Sequence, residues 1–170
     1  WYGAYALQRL EIYENRISGT IPSAWFESIT DGVCSEGSVT MNSLMYLEAS
    51  NNSLTGPMPS NMACAHLIEL DLSHNAFHSE FPDFEYFTYL NTLKLNGNEP
   101  GFTGSLPSSI AGAADLTYLD ISGNNITGEC GALFAALGEQ LAEKGSYCLA
   151  PLVFRHAQDF LIRIFAVWGV

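Results

Sequence analysis

The sequence predicts a solenoid of stacked repeats in which every turn adds one parallel β-strand. Three observations predict it. One leucine-spaced pattern recurs in five copies between residues 7 and 128. Apolar residues inside each copy alternate with polar ones, and one Asn holds a fixed place in every copy. Fixed-period self-similarity marks a repeat architecture, because a single unit cannot bury its apolar face alone and stacking does so instead.

The copies start at Leu7, Leu44, Leu67, Leu90 and Leu116. Each reads LxxLxLxxN and continues with an apolar residue, Ser or Thr, Gly, a variable residue, an apolar residue and Pro. The first copy runs Leu7, Leu10, Ile12, Asn15, Ile17, Ser18, Gly19, Ile21 and Pro22. Alternation around its fourth and sixth positions has a period of two, the signature of a strand with one buried face. One strand per turn makes neighbouring strands parallel. The column Asn15, Asn52, Asn75, Asn98 and Asn124 sits where the chain leaves each strand. An Asn amide offers two donors and an acceptor, enough to satisfy turn backbone groups in adjacent copies. Gly19, Gly56, Gly104 and Gly128 answer a need for positive φ or close approach. The Pro that follows fixes φ and ends regular pairing.

The copies also differ. The third has Ser79 where the others have Gly, and its convex segment, expected to be helical, carries Phe84, Tyr86, Phe87 and Tyr89. The fourth has extra residues in the Glu99-Pro100-Gly101 stretch. Between the first two copies, around residues 27–42, lies an insertion of about 14 residues beyond the normal spacing, expected as a loop on one face.

These residues resemble leucine-rich repeats of the plant type, with their (L/I)-(S/T)-G-x-(I/L)-P extension. The resemblance covers residues 1–130 and implies an α/β fold, a right-handed leucine-rich-repeat solenoid. It places a parallel sheet on the concave side and short helical or irregular segments on the convex side. It implies a non-catalytic module that binds proteins or peptides, as in the ectodomain of an extracellular receptor-like protein, with no cofactor and no metal. A cell-wall or matrix component, a secreted inhibitor of extracellular hydrolases and the ectodomain of a receptor kinase stand as alternatives. On the implied fold, one concave column is Glu11, Glu48, Asp71, Lys94 and Asp120. Flanking columns are Arg9, Tyr46, Glu69, Thr92, Tyr118 and Tyr13, Ser50, Ser73, Asn96, Ser122. Tyr13, Tyr46 and Tyr118 are the aromatic anchors, since Tyr is enriched at binding hot spots. Glu48, Glu69 and Asp71 form an acidic cluster suited to Lys or Arg of a ligand.

The 170 residues carry a net charge of −12, which argues against a nucleic-acid partner and suits a basic protein or peptide. No G-x-S-x-G elbow or phosphate loop occurs. Paired carboxylates on an open sheet lack the pocket that acid–base catalysis needs. His74 and His78 near Glu69 and Asp71 match neither calcium nor zinc spacing. His66 and His156 read as structural or exposed.

Cys34, Cys64, Cys130 and Cys148 show no C-x-x-C pair. Cys130 and Cys148 flank the region where extracellular arrays often close with a disulfide, and Cys34 with Cys64 would make a second bridge. Four free thiols are the alternative. Asn51-Asn52-Ser53 and Asn125-Ile126-Thr127 are glycosylation sequons, with Asn125 expected to face outward. Residues 131–150 read as a closing helix or cap, with Leu133, Leu137 and Leu141 on one face. Residues 151–170 form an apolar tail, read as a second capping helix, the front of a membrane helix or sequence beyond the natural end. The first copy begins without an upstream polar cap, so a longer protein with a signal sequence, or a membrane attachment through further C-terminal sequence, is expected.

Overall fold

A computed structural model describes residues 7–26, 29–30, 33–34, 43–84 and 87–127. Twelve short strands lie among them: β1 (Arg9–Glu11), β2 (Ser18–Gly19), β3 (Ile29–Thr30), β4 (Val33–Cys34), β5 (Tyr46–Glu48), β6 (Ser53–Gly56), β7 (Glu69–Asp71), β8 (Ala76–Phe77), β9 (Thr92–Lys94), β10 (Thr103–Ser105), β11 (Tyr118–Asp120) and β12 (Asn125–Thr127). The first strand of each copy joins a five-stranded parallel sheet in the order β1-β5-β7-β9-β11. Its register aligns Leu10, Leu47, Leu70, Leu93 and Leu119 in one row. From Leu47 onward those leucines are at most 1% exposed. The alternation in the sequence thus becomes a continuous dry core shared by all copies.

Beyond the turn, a second ribbon follows the Asn column. It is split into β2-β6-β8 and β10-β12. The break falls at the third copy, where Ser79 replaces Gly. Gly19, Gly56 and Gly104 have φ of 91°, 84° and 82°, whereas Ser79 is not left-handed. An L residue resists that conformation, so the chain takes another path and keeps only an isolated parallel bridge from Glu80 to Thr103.

On the convex side, 3-10 helices at Ser23–Trp25, Ser60–Cys64 and Ser108–Gly112 each follow the Pro of their copy. The third copy differs from expectation, because its described convex residues form no helix. Phe84 and Phe87 instead turn into the core with Phe77, Phe81 and Phe102. Phe81 and Phe84 stack at 5.5 Å, and Phe77 and Phe102 at 6.2 Å. Tyr89 points outward and meets His66 edge-on, while Tyr86 lies outside the described residues. Within the insertion, β3 and β4 pair antiparallel. Gly128, the closing segment 131–150 and the tail 151–170 lie outside the described residues. Among the described residues no helix is long and apolar enough to cross a membrane.

The asparagines tie one turn to the next. Asn75 is buried, and its Nδ2 donates to Ala49 O of the preceding copy and to Leu72 O and Ser73 O of its own. Its Oδ1 accepts Leu54 N–H of the preceding copy at 3.0 Å. Asn52, Asn98 and Asn124 repeat this, accepting from Ile17, Phe77 and Phe102 N–H. Asn15 is exposed and bonds only Ile12 O and Tyr13 O of its own turn among the described residues. The residue just before each of these asparagines is left-handed: Glu14, Asn51 and His74 at φ 53°, Gly97 at 66° and Gly123 at 64°. That conformation swings the following amide inward. At Gly123 a Cβ would stand 3.2 Å from the Gly97 backbone, so the fifth turn packs directly on the fourth.

Removing a buried amide of this kind strands a donor and several acceptors, each at about 1–3 kcal/mol. Asn75→Ala is expected to lower the unfolding free energy by about 2–4 kcal/mol in urea denaturation, and Asn15→Ala by under about 1 kcal/mol. Equal losses at the two positions would contradict the interlocked ladder.

Candidate functional site

The concave sheet presents its polar columns in the predicted order. Arg9, Tyr46, Glu69, Thr92 and Tyr118 face one another across the five strands, as do Glu11, Glu48, Asp71, Lys94 and Asp120. Strands about 4.8 Å apart make this strip roughly 20 Å long. Tyr13 lies beyond the end of β1 and is 44% exposed; Tyr46 and Tyr118 are half-buried.

Two cations organise the strip. The Arg9 guanidinium lies 3.9 Å over the Tyr46 ring and reaches Glu11 at 3.2 Å and Glu48 at 3.4 Å. A cation over an aromatic face is attracted by the ring's quadrupole, so Tyr46 is partly covered. Lys94 Nζ sits between Glu69 at 3.5 Å and Asp71 at 3.2 Å. Burial pulls the Lys94 pKa down, but Asp71 and Glu69 outweigh it and hold the ammonium above its ordinary value. The acidic cluster expected to await a ligand is therefore partly neutralised by the chain's own lysine. Five carboxylates against two cations still leave the strip net negative.

Asp71 and Asp120 each have one carboxylate oxygen engaged within their own turn. Each is buried and accepts through Oδ1 from the Ser two residues on. Asp71 takes Ser73 N–H at 3.0 Å and its hydroxyl at 2.6 Å; Asp120 takes Ser122 N–H at 3.1 Å and its hydroxyl at 2.7 Å. A short acidic side chain bonding the backbone two residues on is an Asx-type turn. The Asp-x-Ser spelling in these two copies was the available signal. The accessible charged and aromatic groups are Arg9, Glu11, Tyr13, Tyr46, Glu48, Glu69, Lys94 and Tyr118.

His74 Nε2 lies 3.3 Å from the Asn96 amide, and His78 Nδ1 lies 3.5 Å from the Thr55 hydroxyl. Among the described residues no three His, Cys, Asp or Glu side chains are grouped to hold a metal. Cys64 is disulfide-bonded. The side chains of Cys34, Cys130 and Cys148 lie outside the described residues.

Burial, then Glu69 and Glu11, push the Glu48 carboxyl above its ordinary value of 4.5, against Arg9 and Lys94. A raised folded-state pKa means ionisation of Glu48 opposes folding, so its contribution worsens as pH rises through the carboxylate range. Glu48→Gln is therefore expected to be more stable than the parent at pH 7 and equal to it near pH 3, by urea unfolding at both. A variant less stable at pH 7 would show the Arg9 pairing to dominate.

Comparison with known proteins agrees with the repeat fold. Leucine Rich Repeat family models match residues 6–27 and 43–65, and residues 63–80 and 114–135. Receptor-like protein 54 of Arabidopsis thaliana is 43% identical over 127 residues, which is 72% of this chain and 14% of that protein. Receptor-like protein 7 of the same plant is 34% identical over 125 residues, 72% of this chain and 11% of its own length. The chain thus spans a small part of the relatives it matches. Among solved structures, the ectodomain of the Arabidopsis receptor kinase HAESA, bound to an N-terminally extended IDA peptide hormone, superposes with a TM-score of 0.59. It is 28% identical, over 72% of this chain and 18% of that one. Repeat, solenoid and relatives agree, and the chain belongs to the leucine-rich repeat proteins of the plant receptor-like type.

Proposed function

We propose that the chain is a non-catalytic binding module whose concave strip holds an extended protein or peptide segment outside the cell or at its surface. The observation that carries this reading is the unbroken five-strand register. It sets Arg9, Tyr46, Glu48, Glu69 and Lys94 in adjacent rows on one open face. The HAESA ectodomain, of similar fold, is solved with a peptide hormone bound. A strip of roughly 20 Å matches about six extended residues. Its net negative charge favours a basic segment, whose cations would compete with Arg9 for Glu11 and Glu48 and with Lys94 for Glu69. The disulfide at Cys64 supports an oxidising setting. Cys34 is its proposed partner, and Cys130 with Cys148 the proposed second pair.

The test is a library of extended basic peptides, read by titration calorimetry. Tyr46→Ala is expected to weaken the selected peptides about tenfold or more. Glu69→Lys is expected to abolish their salt-sensitive share of affinity, while Tyr89→Ala on the convex side leaves binding unchanged. Binding lost with Tyr89→Ala but kept with Tyr46→Ala would move the site off the concave face.

A further inference from the structure

The concave strip carries one cation on which its own strand does not rely. Arg9 stands on β1, the end strand of the five-stranded sheet. Leu10 beside it packs against the core. The Gln8 carbonyl accepts the Met45 and Tyr46 N–H groups, and the Ile12 N–H donates to Glu48 O. Backbone pairing and the opposite face thus hold β1, and the Arg9 side chain can swing without breaking either.

The Arg9 guanidinium carbon lies 3.9 Å from the centroid of the Tyr46 ring on β5. One nitrogen, Nη1, meets Glu11 Oε1 at 3.2 Å and Glu48 Oε1 at 3.4 Å. The parallel register sets Arg9 opposite Tyr46 and Glu11 opposite Glu48. Ring and carboxylates make a half-open cage with one flat π face and two acceptors. A planar guanidinium stacks on such a face and donates from its edge, whereas an ammonium is a compact charge with no plane to stack. The guanidinium seated there displays the chemistry that the cage takes.

That guanidinium is loosely held. The Arg9 side chain is 47% exposed, and exposed ion pairs contribute little because water screens them. Lys94, the other cation of the strip, is 33% exposed and rests on Asp71, whose side chain is 12% exposed. Of the two, Arg9 is the cation that a ligand can displace.

We propose that Tyr46, Glu11 and Glu48 form a subsite for an arginine side chain of the ligand, and that Arg9 fills it in the free chain and vacates it on binding. Arg9 is then a built-in competitor: it selects for a planar cation and weakens every ligand by the fraction of molecules in which it is seated. This rests on the concave-strip reading and names the side chain that the strip reads first.

The test titrates the full chain with two blocked tripeptides, acetyl-Gly-Arg-Gly-amide and acetyl-Gly-Lys-Gly-amide, and follows the backbone amide signals of β1 and β5 by NMR. With Arg9 seated in roughly four molecules of five, as weak exposed contacts allow, emptying the cage tightens binding about fivefold. Arg9→Gln is therefore expected to bind the arginine tripeptide about fivefold more tightly than the parent does, and to bind the lysine tripeptide more weakly than the arginine one. Arg16→Gln removes the same charge from an exposed residue outside the strip, and is expected to leave both affinities within about twofold of the parent. Adding Tyr46→Ala to Arg9→Gln is expected to erase the gain. No gain in Arg9→Gln, or an equal gain in Arg16→Gln, overturns the exchange. Equal affinity for the two tripeptides overturns the guanidinium subsite. The tripeptides are too short to span the strip, so a library that yields no peptide binder leaves this result standing. Selected peptides that bind the parent and Arg9→Gln alike overturn the exchange and leave the peptide reading intact.

Discussion

The structure depends on how backbone polar groups at each turn are satisfied. Five tight turns stacked against a leucine core would bury N–H and C=O groups that neither sheet can reach. One asparagine amide per copy takes them. Asn75, Asn98 and Asn124 each accept one N–H from the turn before and donate to carbonyls on both sides of the step. The bonds fix the rise between copies, and that rise is what brings the leucine row into contact and keeps the concave strands in register.

With spacing set on that inner side, the outer side is free to vary. Three copies close with a 3-10 helix after Pro22, Pro59 or Pro107, and the third closes with clustered phenylalanines. The fourth absorbs extra residues beside its ladder asparagine, and the insertion before the second copy adds a pair of short antiparallel strands. None of these changes disturbs the five-strand register. Left-handed backbone at Glu14, Asn51 and His74 costs on the order of 1–2 kcal/mol each for an L residue, a cost the stacking offsets.

Much of this was legible in the sequence. Period-two alternation predicted the leucine row, because a one-residue slip would have sent the leucines to water, and the resemblance to leucine-rich repeats implied the polar columns beside it. The asparagine column was legible because its chemistry is local and recurs. Other features were hidden. The left-handed position before each asparagine is spelled Glu, Asn, His, Gly and Gly, so no single residue type reveals it. Arg9 over Tyr46, and Lys94 between Glu69 and Asp71, depend on which rotamers neighbouring strands bring together. Only the fold shows that one oxygen of Asp71 and of Asp120 is taken by Ser73 and Ser122. In the third copy an aromatic-rich run was read as helical, although its phenylalanines were wanted in the core.

Amide hydrogen exchange tests the central claim most directly. Leu54, Phe77 and Phe102 lie after their turns, and their N–H groups reach ladder side chains instead of backbone carbonyls. If the asparagines lock successive copies, these three amides should exchange only by unfolding of the array, as slowly as Leu70 and Leu93 in the sheet. Exchange at the rate of exposed turn amides, with the sheet still protected, would show that the copies stack without the ladder.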